Sequence, residues 1–282
     1  MDTAAAPLPP LFLSHGSPMI ALEPGATGAF FARLGPTIER LFGRPRAVLA
    51  ISAHTLARQP VLLAAKRHET IHDFGGFPQA LFEVRYEAPG APELAPRVAS
   101  LLGQAGIAAE QLPRAGGLDH GIWTVLMHMW PAADIPVLPL ALVPTDPPAA
   151  HFALGKALGA LAHEGVLILG TGSITHNLRL SFAGGRDENA PEQPECAAFR
   201  AWVLERASRG DWPALLDYRR QAPHAALMHP TDEHWLPFYA PAGAGLEPAL
   251  RLHEGLSFGA LAMDAYAFGP SAPALARELN GH

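Results

Sequence analysis

The sequence contains a single cysteine, Cys196, in 282 residues. An intramolecular disulfide is therefore excluded, and so is a thiolate zinc site of the finger type. No apolar run approaches the roughly 20 residues that a membrane-spanning helix needs. No cluster of Lys and Arg stands out against a formal net charge of -6, so the basic stripe used by nucleic-acid-binding proteins is missing. The first residues carry no basic n-region, and prolines break their apolar stretch, so they do not read as a signal peptide. Ser14 and Ser17 lack the G-x-S-x-G elbow of a nucleophilic serine. Gly170, Thr171, Gly172 and Ser173 could offer backbone N–H groups to a phosphate. They come without the P-loop lysine or dinucleotide spacing, so that signal is weak. These absences leave a cytoplasmic chain with no nucleic-acid or membrane partner as the simplest expectation.

What is present is histidine, 14 residues of it against 20 Lys plus Arg. With cysteine nearly absent, any transition-metal site must be built from imidazole and carboxylate. Hydrophobic residues make up 49% of the chain, and its length suffices for a sizeable core in one domain spanning residues 1–282. Short, near-continuous apolar runs at 11–13, 46–53, 60–65, 136–143 and 165–170 read as strands buried on both faces. Helical spacing of apolar residues recurs at 28–42, 92–102, 121–130, 149–163, 195–208 and 231–239. The stretches 181–194 and 241–245 read as loop and turn. Alternation of these elements predicts an α/β fold: one globular domain, a mostly parallel central sheet, and helices on both faces.

His15 and His54 directly follow predicted strands, and His176 lies six residues beyond another. Ligands of open α/β sheets bind outside the carboxyl ends of strands, so these three are expected to converge. His120 sits in a Gly-rich turn before a helix candidate, and His234 near the start of another, after Pro230. Each histidine alone has a plainer reading, as a turn cap or a donor to a backbone carbonyl. His15 and His54 together, both at the ends of buried strands, favour a site. Glu233 is either a carboxylate partner of that site or, like Asp232, a compensator of a helix dipole. His68 and His72, among Phe74, Phe77 and Tyr86, fit a pocket wall or a satellite core equally well. His128, His151, His163, His224, His253 and His282 read as surface or helix-face residues, and Cys196 as packing on a helix face.

Residues 11–19, 51–54 and 71–80, followed in order by 117–121, 175–179 and Glu233-His234, resemble the class III extradiol ring-cleavage dioxygenases, most closely their DOPA 4,5-dioxygenase-like branch. The resemblance spans nearly the whole chain and rests on several ordered motifs. It implies an α/β fold with one mononuclear divalent metal in a cleft, Fe(II) for ring cleavage or Zn(II) as isolated. It places His15, His54 and His234 at the metal-ligand positions. It places His176 at an acid/base position, with a fourth-ligand role in zinc-bound relatives, and His120 at a substrate-contacting or outer position. The implied partners are a catecholic small molecule, such as DOPA, and O₂. The wider family resembles the two-histidine, one-carboxylate iron sites, whereas here a third histidine, with Glu233 beside it, occupies the last position. Zinc cannot change redox state, so a zinc hydrolase and a non-catalytic metal-binding protein on the same scaffold stay as alternatives.

Overall fold

The computed structural model describes residues 6–183, 185 and 187–281; His282 and two positions of the 181–194 loop lie outside them. Six strands form the central sheet in the order Val137–Pro139, Ala47–Ser52, Val166–Gly172, Leu11–Ser14, Ala265–Ala267, Leu250–His253. The first four are parallel neighbours. The last two add antiparallel pairings at one edge.

Why the central strands read as unbroken apolar runs is visible in the packing. Successive side chains of a strand point to opposite faces. Ala47, Leu49 and Ile51 enter one core with Phe199, Trp235 and Phe238. Val48 and Ala50 enter a second core with Phe30, Phe31, Ile122 and Trp123. Helices Gly25–Phe42, His120–Met129 and Ala272–Asn280 cover the second face. Helices Ala95–Gln104, Pro148–Leu158, Pro194–Ser208 and Tyr239–Gly245 cover the first. Both faces are therefore sealed, and the carboxyl ends of Leu11–Ser14, Ala47–Ser52 and Val166–Gly172 open on one edge. Among the described residues no helix is long and apolar enough to cross a membrane.

Several expectations need correction. The helix expected over 231–239 is a run of turns followed by a 3-10 turn at Leu236–Phe238, and the α-helix begins only at Tyr239. Pro237 supplies the reason: it has no N–H to bond back to the Glu233 carbonyl, and its ring would clash with that carbonyl in a continuous α-helix. The expected turn at 241–245 is instead the body of that helix. The run 136–143 keeps strand geometry only over Val137–Pro139. The run 60–65 contracts to Val61–Leu63, which pairs with Glu110–Leu112 outside the central sheet. The antiparallel edge strands Leu250–His253 and Ala265–Ala267 were not anticipated.

Candidate active site

His15 follows the strand Leu11–Ser14, and its backbone N–H donates to the Gly172 carbonyl at 3.0 Å. The strand end is pinned by Ser14, whose hydroxyl donates to the Asp264 carbonyl at 2.8 Å. The Asp264 carboxylate is fully buried and accepts from Arg200 at 2.7 Å. Ser14 is thus occupied structurally, and Ser17 caps the 3-10 turn Pro18–Ala21; neither is placed as a nucleophile.

Gly170 and Gly172 serve close packing. A Cβ on Gly170 would lie 2.1 Å from the Pro237 carbonyl oxygen, and one on Gly172 would lie 2.2 Å from that of His234. Only glycine lets the 234–237 backbone pass this close to the strand. Ser173 N–H then donates to the His234 carbonyl at 2.9 Å. The phosphate-cradle reading of this segment gives way to one in which it delivers His234.

The ring nitrogens converge. His54 Nε2 lies 3.1 Å from His15 Nε2 and 3.2 Å from His234 Nε2. What each ring's other nitrogen faces fixes its tautomer. The Thr171 hydroxyl donates its proton to the Gly121 carbonyl (2.7 Å), so it can only accept from His15 Nδ1 at 2.9 Å. His234 Nδ1 donates to Glu233 Oε1 at 3.0 Å. His54 Nδ1 faces Asp73 Oδ2 at 3.4 Å. The protons of His15 and His234 belong on Nδ1, and the Asp73 carboxylate beside His54 Nδ1 favours the same tautomer there, so the Nε2 lone pair of His54 faces those of His15 and His234. That arrangement is repulsive unless a cation sits between them. The edge of a tetrahedral zinc–imidazole site with bonds of about 2.0–2.1 Å is about 3.3 Å, close to the two separations. The donor set therefore fits a metal, with Thr171, Glu233 and Asp73 as the outer acceptors such sites use.

Electrostatics agree with neutral ligands. Burial, then the neighbouring histidines, holds His15 and His234 well below the usual imidazole range. Burial, then His120, brings His54 to about 3, although Asp73 pulls the other way. His176 stacks on His234 with centroids 3.4 Å apart and planes within 7°. Burial lowers it to about 4, against the opposing pull of Glu233.

His120 is the first residue of its helix, and Asp119 is the cap, accepting from Ile122 N–H. Asp119 also accepts from Ser52 (2.7 Å) and Thr55 (2.5 Å), tying the helix start to the segment carrying His54. His120 Nδ1 lies 3.0 Å from both oxygens of Asp73. Its ring stands 4.0 Å, centroid to centroid, from His54. Gly121 must be small: a Cβ would meet Ser52 Oγ at 2.8 Å and His15 Nδ1 at 2.9 Å. Metal-competent clusters form from His15, His54 and His120 and from His176, Glu233 and His234. They adjoin through the His54–His234 contact.

All five histidines singled out in the sequence thus meet in one cluster. Glu233 belongs to it through His234 rather than as a helix-dipole compensator, whereas Asp232 pairs with Arg219 and Tyr218. His72 lies at the site's margin, in an aromatic cluster with Phe74, Phe82 and Trp123; Phe74 approaches His120 edge-on at 5.7 Å. His68 is structural: Nδ1 accepts from Gly117 N–H (3.0 Å) and Nε2 donates to the Val137 carbonyl (2.9 Å), holding the turn before His120. His151 is buried rather than superficial. Asp73, Asp119 and Thr171 were missed. Asp119, directly before a helix, was readable as a cap; nothing local marks the other two.

A buried imidazole cluster at the carboxyl edge of a sealed α/β sheet is a site that can hold a metal ion. Residues 9–269 match the family described as the catalytic LigB subunit of aromatic ring-opening dioxygenase. The chain is 37% identical over 260 residues to a 4,5-DOPA dioxygenase extradiol of Beta vulgaris, covering 91% of this chain and 95% of that one. It is 37% identical over 263 residues to one of Escherichia coli K12, covering 91% and 93%. A crystal structure of an uncharacterized E. coli K12 protein superimposes with a TM-score of 0.75 at 33% identity, covering 93% of this chain and all of that one. The chain belongs to the class III extradiol ring-opening dioxygenases, on their DOPA dioxygenase-like branch.

Proposed function

We propose that this chain opens the ring of a catechol, with DOPA as the first substrate to test, at one mononuclear divalent metal held by His15, His54 and His234. The observation that carries the reading is the approach of His54 Nε2 to the Nε2 atoms of His15 and His234, at 3.1 and 3.2 Å, with Nδ1 of His15 and His234 hydrogen-bonded to acceptors and Nδ1 of His54 facing a carboxylate. The names of the E. coli and Beta vulgaris relatives supply the choice of DOPA.

Bound Fe(II) supplies Lewis acidity toward the catechol hydroxyls and the redox capacity to engage O₂. The chain's own residues do the rest. His176, neutral near pH 7, takes a hydroxyl proton on a ring nitrogen and returns it as the ring opens. Its stacking on His234 places it beside the ligand cluster. His120 hydrogen-bonds a substrate oxygen, its orientation set by Asp73. Phe74, with Phe82 and Trp123 behind it, offers an apolar wall to the aromatic ring. The ring C–C bond beside the two C–O carbons breaks, both atoms of O₂ are incorporated, and a muconic semialdehyde results.

The test is oxygen uptake by protein stripped of metal and reloaded anaerobically with Fe(II), with DOPA and a panel of catechols. Uptake with a yellow product, absent with Zn(II), supports the reading. Stoichiometric metal without uptake on any catechol would favour a zinc hydrolase or a non-catalytic metal protein.

A further inference from the structure

Asp73 makes three contacts from one carboxylate. Oδ1 accepts from the His120 backbone N–H at 3.0 Å. Both oxygens stand 3.0 Å from His120 Nδ1. Oδ2 faces His54 Nδ1 at 3.4 Å. The segment bearing Asp73 is fixed to the His120 helix by its backbone. Ile71 N–H donates to the Leu118 carbonyl (2.8 Å), Leu118 N–H to that of Glu69 (2.9 Å), and Trp123 Nε1–H to that of Ile71 (2.9 Å). The carboxylate is therefore presented rigidly, and it spans two rings with different tasks.

We infer that Asp73 is a positioning residue that sets the tautomer and ring orientation of His54 and His120 together, coupling metal retention to the histidine that meets the substrate. This rests on the metal reading for its first half only. Carboxylates behind metal-bound imidazoles hold the proton on the far nitrogen and keep the lone pair aimed inward. Thr171 and Glu233 each serve one ring; Asp73 serves two. An amide at this position is nearly isosteric, and its oxygen can still accept from the His120 backbone N–H. Its NH₂ end cannot accept, so one imidazole loses its partner.

The experiment compares wild-type protein with Asp73→Asn. In metal-free protein, ¹⁵N–¹H correlation spectra read the histidine tautomers directly. With Co(II) or Zn(II) and a competing chromophoric chelator, metal affinity is measured. The expected result is Nδ1–H for His54 and His120 in the wild type, a loss of that pattern in the variant, and metal affinity lower by about 10–100-fold, with thermal stability nearly unchanged. Unaltered tautomers would overturn the inference and leave Asp73 as a helix cap. So would unaltered affinity in a wild-type protein that binds metal. A wild type that binds no metal, yet changes tautomers on substitution, would sink the metal reading and leave the positioning role standing.

Discussion

His68, His151 and His229 donate from Nε2 to the carbonyls of Val137, Val143 and Ile174 at 2.9, 3.0 and 2.8 Å. His72 and His128 follow the same pattern toward Val84 and Ile20. His15, His54 and His234 do the reverse: Nδ1 meets a side-chain acceptor and Nε2 is left facing other imidazoles. Burial is the first cause that lowers the pKa of His68, His151 and His229, and equally the first cause for His15, His54 and His234. A perturbed titration therefore does not separate a structural histidine from a ligand; the direction of the second nitrogen does. Desolvation penalises the charged ring wherever it sits. Only in the inward-facing set does neutrality leave lone pairs with nothing but each other to meet.

His54→Ala is expected to remove both bound metal and ring opening, since His54 Nε2 is the nitrogen within 3.2 Å of both other candidates; metal analysis and oxygen uptake check it together. His176→Ala should lower kcat by about 10²–10⁴-fold, the usual worth of a general acid/base, with one metal per chain retained. Loss of metal in that variant would move His176 from base to ligand.

On the structural side, His229 is fully buried among Phe199, Tyr218 and Trp235. His229→Ala should cost about 2–4 kcal/mol of stability, through a cavity and an unpaired Ile174 carbonyl. Metal content per folded chain should stay near that of the wild type. Denaturant unfolding with metal analysis of the soluble fraction separates the two effects. Acid sharpens the contrast. Burial pushes His229 down to about 4, from an ordinary value near 6.5. The unfolded chain therefore takes up this proton first. Its contribution is full above about 6.5 and is lost progressively as pH falls toward 4. A difference in urea midpoint between metal-free wild type and metal-free His229→Ala that stays flat between pH 7.5 and 5 would contradict this. The smallest effect is expected at the aromatic wall: Phe74→Leu should raise KM for a catechol about fivefold or less, an edge-to-face contact being worth about 1 kcal/mol.

Much of this was legible in the sequence. The strands Ala47–Ser52 and Val166–Gly172 are buried on both faces and so appear as unbroken apolar runs, which placed His54 and His176 at the right edge of the sheet. His15, His120 and His234 came with glycine or proline neighbours that mark shaped turns. The edge strands Leu250–His253 and Ala265–Ala267 were not, because they span only four and three residues. The 231–239 segment misled because its apolar spacing suits a helix while Pro237 forbids an early start. Asp73 stayed hidden for a different reason. Its partners lie 19 residues before it and 47 after it, and only the fold brings one carboxylate to both rings.

The most direct test of the central claim is X-ray absorption spectroscopy on protein carrying one zinc per chain. Three imidazole scatterers near the zinc–nitrogen distance of about 2.0–2.1 Å, reduced to two in His234→Ala, are the predicted result. Two imidazoles and a carboxylate oxygen in the intact protein would contradict it and put Glu233, not His234, on the metal.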